Sequence, residues 1–158
     1  FHVTRVQTCA LPICDVAPDF SLTDQNGNVQ TLSALCASGP VVLFFYPAAM
    51  TAGCTKEACS FRDHKADFER FAAQRVGISM DDVATQTEFS TQHGFDYPLL
   101  SDPAGVVAAT YGVKRALSFL KVKRTTFVIN RDRSIRTIIT SEINMNVHVE
   151  RALAALAQ

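Results

Sequence analysis

Short apolar runs alternate along the chain with segments whose apolar residues have helical spacing. The runs "VVLFFY" at 41–46 and "RVGISM" at 75–80 are continuous, as in strands that are covered on both faces. Between them, from about Thr51 to Gln74, apolar residues recur at helical spacing and charged residues fill the gaps. The pattern predicts two buried strands joined by one long helix.

The flanking segments add further elements. Near the start, "FSLTD" and "VQTL" enclose an Asn-Gly turn, which is a strong hairpin signal. Asp81 or Asp82 can cap a helix that runs to about His93 and ends at Gly94. The rest of the chain predicts, in order, a short strand in 97–102, a short helix ending at Gly112, a hairpin of strands 124–130 and 134–140, and an amphipathic helix over 147–156.

This order of elements predicts an α/β protein. Parallel βαβ units followed by an antiparallel hairpin and a closing helix describe the thioredoxin fold, here with an N-terminal β-hairpin extension and three layers, α/β/α. Sites in open α/β sheets lie at the carboxyl ends of strands. The stretch "PAAMTAGC" leaves the carboxyl end of the first buried strand, so we expect a site there.

Composition narrows the classes of partner. The chain has 158 residues, 47% of them hydrophobic, and its 15 basic residues balance 15 acidic ones. Zero net charge gives no reason to expect nucleic acid, and the basic stretch "KVKR" at 121–124 is short. The longest apolar run has six residues, whereas a membrane-spanning helix needs roughly 20. We therefore expect neither a nucleic-acid partner nor a membrane span.

Five cysteines are too few, and odd in number, for the disulfide framework of a secreted domain. We expect a reducing compartment, the cytoplasm, and some reactive thiols. The opening "FHVTRVQTCALPIC" lacks the apolar segment of a signal peptide and resembles translated adaptor read-through. We therefore expect residues 1–14, with Cys9 and Cys14, to be foreign to a single domain that spans 15–158.

Cys54 falls in the first turn of the long predicted helix if Thr51 is near its N-cap. Unpaired N–H groups and the positive end of the helix dipole then face the sulfur and favour the thiolate, which is the nucleophilic form. Thr51 can place its hydroxyl beside the sulfur or cap the helix, and Pro47 can fix the loop and shield the sulfur from water. Taken alone, a cysteine after a strand is more often a small core residue.

Cys54 is not alone, because Pro47, Thr51 and Cys54 stand at the spacing P-x-x-x-T-x-x-C. The stretches "APDFSLTDQNG", "VVLFFYPAAMTAGCTKEACSFRD", "GISMD", "FDYPLLSDP" and "KVKRTTFVI" extend the pattern over residues 15–158. The chain resembles the peroxiredoxins, in particular the bacterioferritin-comigratory or peroxiredoxin Q type.

The resemblance implies a thiol peroxidase that uses no metal, haem or flavin. Cys54 would be the peroxidatic cysteine, which attacks a hydrogen peroxide or organic hydroperoxide and becomes a sulfenic acid. Thr51 would hydrogen-bond the sulfur and the peroxide, Pro47 would screen the pocket, and the Arg124 cation would stabilise the thiolate and polarise the substrate. Cys59 would resolve the sulfenic acid as an intramolecular disulfide, recycled by thioredoxin or a similar dithiol. Relatives of this type are often monomers, so we expect a monomer.

Helix geometry adds a prediction about Cys54 and Cys59. Five residues along an ideal helix separate two Cα atoms by roughly 8.6 Å. A disulfide needs Cα atoms about 4.4–6.8 Å apart. We therefore expect the 52–62 segment to melt locally when the disulfide forms.

Several positions depart from the family pattern or stay open. Ala48-Ala49-Met50 and Ala52 replace the charged residues and the proline that family members often carry, which makes the mouth apolar and favours organic hydroperoxides. Glu57, in "CTKEA", either orients an arginine or the loop, or is a surface residue of the helix. Cys36 we interpret as a core residue without a chemical role.

Three other functions compete with a peroxidase. A thioredoxin-like disulfide oxidoreductase shares the fold but normally carries C-x-x-C, whereas the spacing here is C-x-x-x-x-C. A metal site could use Cys54, Cys59 and His64, although structural zinc sites usually space paired ligands two to four residues apart and need four of them. A peroxide sensor without turnover would use the same thiol chemistry.

Overall fold

The computed structural model describes residues 11–115 and 121–158. Within these residues seven strands form one sheet: β1 (Ser21–Asp24), β2 (Val29–Thr31), β3 (Val41–Phe45), β4 (Gln74–Ser79), β5 (Leu99–Ser101), β6 (Thr125–Ile129) and β7 (Ile135–Thr140). Six helices accompany them: α1 (Leu32–Ser38), α2 (Ala52–Asp63), α3 (Lys65–Glu69), α4 (Val83–His93), α5 (Val106–Thr110) and α6 (Asn146–Leu156).

The strand order across the sheet is β2-β1-β5-β4-β3-β6-β7. Strands β3, β4 and β5 are parallel, and the two hairpins, β1-β2 and β6-β7, add antiparallel strands on either side. This topology confirms the predicted order of an N-terminal hairpin, βαβ units, a second hairpin and a closing helix. All five residues of β3 are buried, as its continuous apolar sequence predicts.

Helices cover both faces of the sheet. On one face, α2, α4 and α6 pack against β3 through Val42 and Phe44. On the other face, α1 and α5 pack against Val41, Leu43 and Phe45 of the same strand. The structure therefore has the three predicted layers, and the alternation of side chains along β3 divides the core into two apolar clusters.

The prediction of one helix over 51–74 is wrong in its second half. Helix α2 ends at Asp63, α3 begins at Lys65, and α3 itself ends at Glu69. The chain then turns through Ala72 in the left-handed region (φ 54°), with the N–H groups of Ala72 and Ala73 bonded back to the carbonyls of Glu69 and Phe68. This is a helix end of the kind that usually carries glycine, so an alanine there gives the sequence no stop signal.

Helix α1 is absent from the sequence prediction, which treats its first residue as the end of the hairpin. Its N-terminus is capped from a distance, because the N–H of Ser33 donates to the carboxylate of Asp19 (2.9 Å). Thr31 stands at the N-cap position, but its side chain makes no cap hydrogen bond. At α4 the sequence left two caps open, and the structure selects Asp82, which accepts from the Thr85 N–H (2.8 Å).

The structure bears in part on two further predictions, the one about a membrane span and the one about residues 1–14. Across residues 11–115 and 121–158, none of the helices has the length and apolar character needed to cross a membrane. Of the segment 1–14 that we expect to be foreign, residues 1–10 lie outside the described residues. Cys14, at its end, donates its N–H to the carbonyl of Ile135 (2.8 Å).

Candidate active site

The candidate site lies where β3 ends and α2 begins, at the carboxyl edge of the parallel strands. Strand β6 enters this edge from the other direction, and its first residue, Thr125, pairs with Phe45 at the end of β3. Arg124 therefore lies beside the loop that leaves β3. Sheet register brings together two segments that are 70 residues apart in sequence.

Hydrogen bonds fix the loop between β3 and α2. The Ala49 N–H donates to the Asp81 carboxylate (2.8 Å), which also accepts from the Ser79 hydroxyl (2.7 Å). Met50 then turns through the left-handed region (φ 69°), which few non-glycine residues adopt outside functional loops. Asp81, which the sequence offered as a possible helix cap, thus holds the loop that leads into α2.

Pro47 and Thr51 occupy this loop as the sequence placed them. Pro47 is buried, whereas Thr51 is exposed and stands at the N-cap position of α2. The Thr51 hydroxyl donates to the Ala48 carbonyl (2.7 Å), so in this conformation it is engaged neither with the sulfur nor as a helix cap. The two acceptor lone pairs of the hydroxyl oxygen remain for a ligand.

Cys54 is the third residue of α2 and is 1% exposed. The guanidinium of Arg124 lies against it, with 3.4 Å between Arg124 Nη2 and Cys54 Sγ. Gly53 permits this approach, since a Cβ at that position would lie 3.2 Å from Arg124 Nη2. The sulfur therefore faces both a cation and the N-terminal turn of a helix, and each favours a thiolate.

Glu57 is fully buried, which rules out the interpretation of it as a surface residue. Its Oε1 accepts from Arg124 Nη1 at 2.7 Å, so it does orient the arginine. Burial raises the pKa of Glu57 to about 7, and the Arg124 charge opposes that shift. For Arg124, burial acts to lower the pKa, but the charges of Glu57 and Cys54 raise it on balance. The guanidinium therefore stays a cation between two acceptors.

Cys59 lies five residues after Cys54 on the same uninterrupted helix. It is partly buried against the apolar cluster, and burial raises the pKa of its thiol while Arg62 opposes the shift. Cys54 and Cys59 are both free thiols. The structure thus has α2 intact with the two thiols separate, and the expected melting on oxidation stays a prediction.

The far half of α2 is tied to the surrounding structure. The Tyr97 hydroxyl donates to the Ala58 carbonyl (2.7 Å) and Arg75 donates to the Phe61 carbonyl (2.9 Å). Arg62 reaches out to the carbonyl of His93 (2.6 Å). These bonds anchor the helix beyond Cys54.

Metal ligation has no support in the described part of the chain. Across residues 11–115 and 121–158, no three His, Cys, Asp or Glu side chains are grouped so that they could hold a metal ion. His64, the third residue of the zinc alternative, lies with its Nδ1 2.8 Å from the carbonyl of Ser60.

Comparisons with known proteins show the family to which the chain belongs. The model of the AhpC/TSA family matches residues 13–138. A Mycobacterium tuberculosis protein that carries a peroxiredoxin name is 56% identical over 144 residues, which cover 90% of this chain and 94% of that protein. The family model thus covers 15–138 of the region 15–158 that carries the sequence resemblance.

Solved structures give the same result. The crystal structure of peroxidoxin BcpB from Mycobacterium tuberculosis superposes with a TM-score of 0.88 at 54% identity, covering 92% of this chain and 96% of that one. The bacterioferritin comigratory protein of Xanthomonas campestris, whose trapped intermediate and ligand complexes concern alkyl peroxide reduction, has a TM-score of 0.80 at 27% identity, with 87% and 90% coverage. This chain therefore belongs to the AhpC/TSA family and is a peroxiredoxin, a thiol peroxidase built on the thioredoxin fold.

Proposed function

We propose that this peroxiredoxin reduces hydrogen peroxide and organic hydroperoxides through the thiolate of Cys54, with Cys59 as the resolving cysteine and thioredoxin or a similar dithiol as the reductant. The observation that carries the proposal is the Arg124 guanidinium 3.4 Å from a cysteine sulfur in the first turn of a helix. Both features place positive potential where a nucleophilic thiolate is needed.

In the first step the Cys54 thiolate attacks the terminal oxygen of the hydroperoxide. The O–O bond breaks, the sulfur becomes a sulfenic acid, and the leaving alkoxide or hydroxide takes up a proton. Arg124 stabilises the negative charge before and during transfer, because its guanidinium is a preorganised cation beside the sulfur. The Thr51 oxygen can accept from the hydroperoxide O–H, and Pro47 screens the sulfur.

In the second step the Cys59 thiolate attacks the sulfur of the Cys54 sulfenic acid, the S–O bond breaks, and the hydroxide that leaves takes up a proton from solvent to become water. An intact helix holds the two Cα atoms roughly 8.6 Å apart, so part of the 52–62 segment must unwind. The bonds on the carbonyls of Ala58 and Phe61 hold the far half of α2. We therefore expect the first turns of α2 to unwind before these anchors break.

The mouth of the site supports organic hydroperoxides as substrates. Met50, beside the Thr51 N-cap, is 37% exposed. The Glu142 carboxylate accepts from the backbone N–H of Arg124, and the next residue in sequence, Ile143, is 92% exposed. Alkyl peroxide reduction by the related Xanthomonas protein supports the same assignment. We expect Met50→Gln to lower activity with cumene hydroperoxide more than activity with hydrogen peroxide.

The proposal extends to a monomer working in the cytoplasm. Free thiols at Cys14, Cys36, Cys54 and Cys59, within the part of the chain that the structure describes, are consistent with a reducing compartment. Size-exclusion chromatography with light scattering of the reduced and oxidised protein tests the monomer.

The function is tested by NADPH oxidation in the presence of thioredoxin, thioredoxin reductase and peroxide. Continuous, peroxide-dependent turnover is the expected result. Reduction of insulin disulfides without any peroxide consumption would instead identify a thioredoxin-like oxidoreductase. Oxidation of Cys54 without turnover by thioredoxin or dithiothreitol would identify a sensor.

A further inference from the structure

The second oxygen of the Glu57 carboxyl group has no role in the mechanism above. Oε1 accepts from Arg124, but Oε2 is buried and has no hydrogen-bond partner in the described parts of the chain. His148 on α6 lies beside it, with 3.5 Å between Nδ1 and Oε2. Both side chains are fully buried, so water cannot satisfy the oxygen at low cost.

The contacts of His148 fix which nitrogen carries a proton in its neutral form. Nε2 lies 2.9 Å from the carbonyl of Ser141, and a carbonyl can only accept, so Nε2 carries a hydrogen. Nδ1 lies 2.8 Å from the Thr126 hydroxyl, which can donate to it. In a neutral ring the single lone pair of Nδ1 accepts from Thr126, and this electronegative nitrogen still lies 3.5 Å from the orphan oxygen of Glu57. The contact is unfavourable when the carboxyl group is ionised and the ring is neutral, and a proton on either group removes the repulsion.

The charge balance of the buried cluster also calls for one proton. With Cys54 as a thiolate and Glu57 ionised, Arg124 supplies one positive charge against two negative ones. A proton on the Glu57–His148 pair makes the cluster neutral, which burial favours. Burial raises the pKa of Glu57 to about 7 and lowers the pKa of His148, in agreement with a proton held mainly by the carboxyl group. The remaining charged or titratable groups that influence the pair are Glu142, Arg151 and Tyr97.

We propose that Glu57 and His148 hold one proton as a coupled pair, on one group or the other, and that His148 is a positioning residue that holds Glu57, and through it Arg124, against the Cys54 thiolate. The proposal rests on Cys54 as the reacting thiolate. The proton is bound most tightly while the sulfur is negatively charged. Removing the negative charge at position 54 weakens proton binding by the pair, because one of the charges that attract the proton is gone.

A purely structural role for His148 would rest on the same contacts, since Thr126 lies on β6 and Ser141 follows β7. The two roles differ in their response to pH and to Cys54. A structural histidine would titrate alike whether or not position 54 carries a charge. The shared proton is sensitive to both Cys54 and Glu57.

Nitrogen NMR of the histidine rings from about pH 5 to pH 9 separates the two roles. We expect His148 to show the Nε2–H tautomer and a pH-dependent shift whose midpoint falls in Cys54→Ser. Glu57→Gln removes the titrating carboxyl group beside Nδ1, so the His148 shift that follows this group should disappear in this range. A His148 titration that is the same in all three proteins would overturn the proposal.

Activity provides the second test. His148→Gln keeps a donor toward Ser141 but loses the Nδ1 contact, and we expect kcat/KM for peroxide to fall about tenfold, as orienting partners of reactive groups commonly do. His148→Asn keeps a polar group near the Nδ1 position and should recover most of that loss. The matched control is His64→Gln, which removes another ring–carbonyl contact away from Arg124.

The outcomes separate this proposal from the peroxidase function. If the wild-type protein does not consume peroxide, the function of Cys54 fails, and the NMR titration still decides whether the proton is shared. If the wild-type protein is active and His148→Gln, folded by circular dichroism, matches it in kcat/KM at every pH, the positioning role is overturned.

Discussion

Cys36 and Cys54 are equally buried, each with 1% of its surface exposed, yet they lie on opposite faces of the sheet in different surroundings. Cys36 is in the middle of α1 within an apolar cluster, and burial raises the pKa of its thiol to about 11, with Arg133 opposing. Cys54 is in the first turn of α2, and the Arg124 guanidinium is 3.4 Å from its sulfur.

The difference shows what converts a buried cysteine into a nucleophile. Burial alone penalises the charged form and leaves an inert thiol, as at Cys36. At Cys54 two features offset the penalty that burial puts on the thiolate: a cation in contact with the sulfur and the N-terminus of a helix. Arg124 is itself held by the buried carboxylate of Glu57, so the reactive environment depends on α2 and on the residue just before β6 together.

The largest effect should come from removing one thiol or the other. Cys54→Ser should lower peroxide consumption about 1,000-fold or more, since the nucleophile is lost. Cys36→Ser should leave it unchanged, because that sulfur stays protonated. Steady-state peroxide assays of both variants check this. Equal activity in Cys54→Ser and the wild type would refute the assignment of the nucleophile.

Removing the arginine near each cysteine tests whether the cation in contact with Cys54 makes it reactive. Arg124→Ala should reduce the rate of Cys54 oxidation about 100-fold, as expected for loss of one preorganised charged donor. Arg133→Ala, beside Cys36, is the matched control and should have no effect on that rate. Stopped-flow measurement of the first oxidation gives the rates. Similar losses in both variants would mean that contact with the sulfur is not what matters.

Cys59→Ser should leave the rate of the first oxidation almost unchanged, because Cys59 takes no part in the contacts among Cys54, Glu57 and Arg124. It should abolish the disulfide and leave sulfenic acid on Cys54, which a dimedone-type probe traps. A variant that still turns over with thioredoxin at the wild-type rate would remove Cys59 from the mechanism.

The buried carboxyl group of Glu57 should affect the stability of the protein. The pKa of Glu57 rises on folding from 4.5 to about 7, so its protonation stabilises the fold fully below about pH 4.5, and this contribution is lost as pH rises through about 7. Glu57→Gln has no proton to lose at this position. Between about pH 4.5 and pH 7 its free energy of unfolding should therefore rise by about 3 kcal/mol relative to that of the wild type.

Urea unfolding of wild type and Glu57→Gln at about pH 5 and pH 8 measures this difference. Glu69→Gln, at an exposed position, is the control and should follow the wild type. A stability difference that does not change with pH would show that Glu57 is ionised in the folded protein throughout.

The sequence predicts the sheet well because the strand signals are local. The runs at β3 and β4 are continuous and apolar, and the order of strands and helices is enough to choose the fold. The helix ends were harder. Ala72 adopts a left-handed conformation without glycine, and the cap of α1 comes from Asp19, fourteen residues before Ser33. Tertiary contacts decide both.

The site was predictable where a motif links neighbours in sequence and less so where the fold brings residues together. Pro47, Thr51 and Cys54 form one motif, and the family resemblance added Arg124. Glu57 follows Cys54 by one helical turn, which places both on one face of α2, but its burial could not be deduced. His148 gave no signal beyond its place in an amphipathic helix, since its contact with Glu57 depends on how α6 packs.

Intact mass after one equivalent of hydrogen peroxide, followed by peptide mapping, tests the central claim most directly. A loss of about 2 Da, with Cys54 joined to Cys59, is the predicted result and would establish both roles at once. A gain of about 16 or 32 Da on Cys54 would keep it as the nucleophile and contradict the role of Cys59. An unmodified Cys54 would contradict the account as a whole.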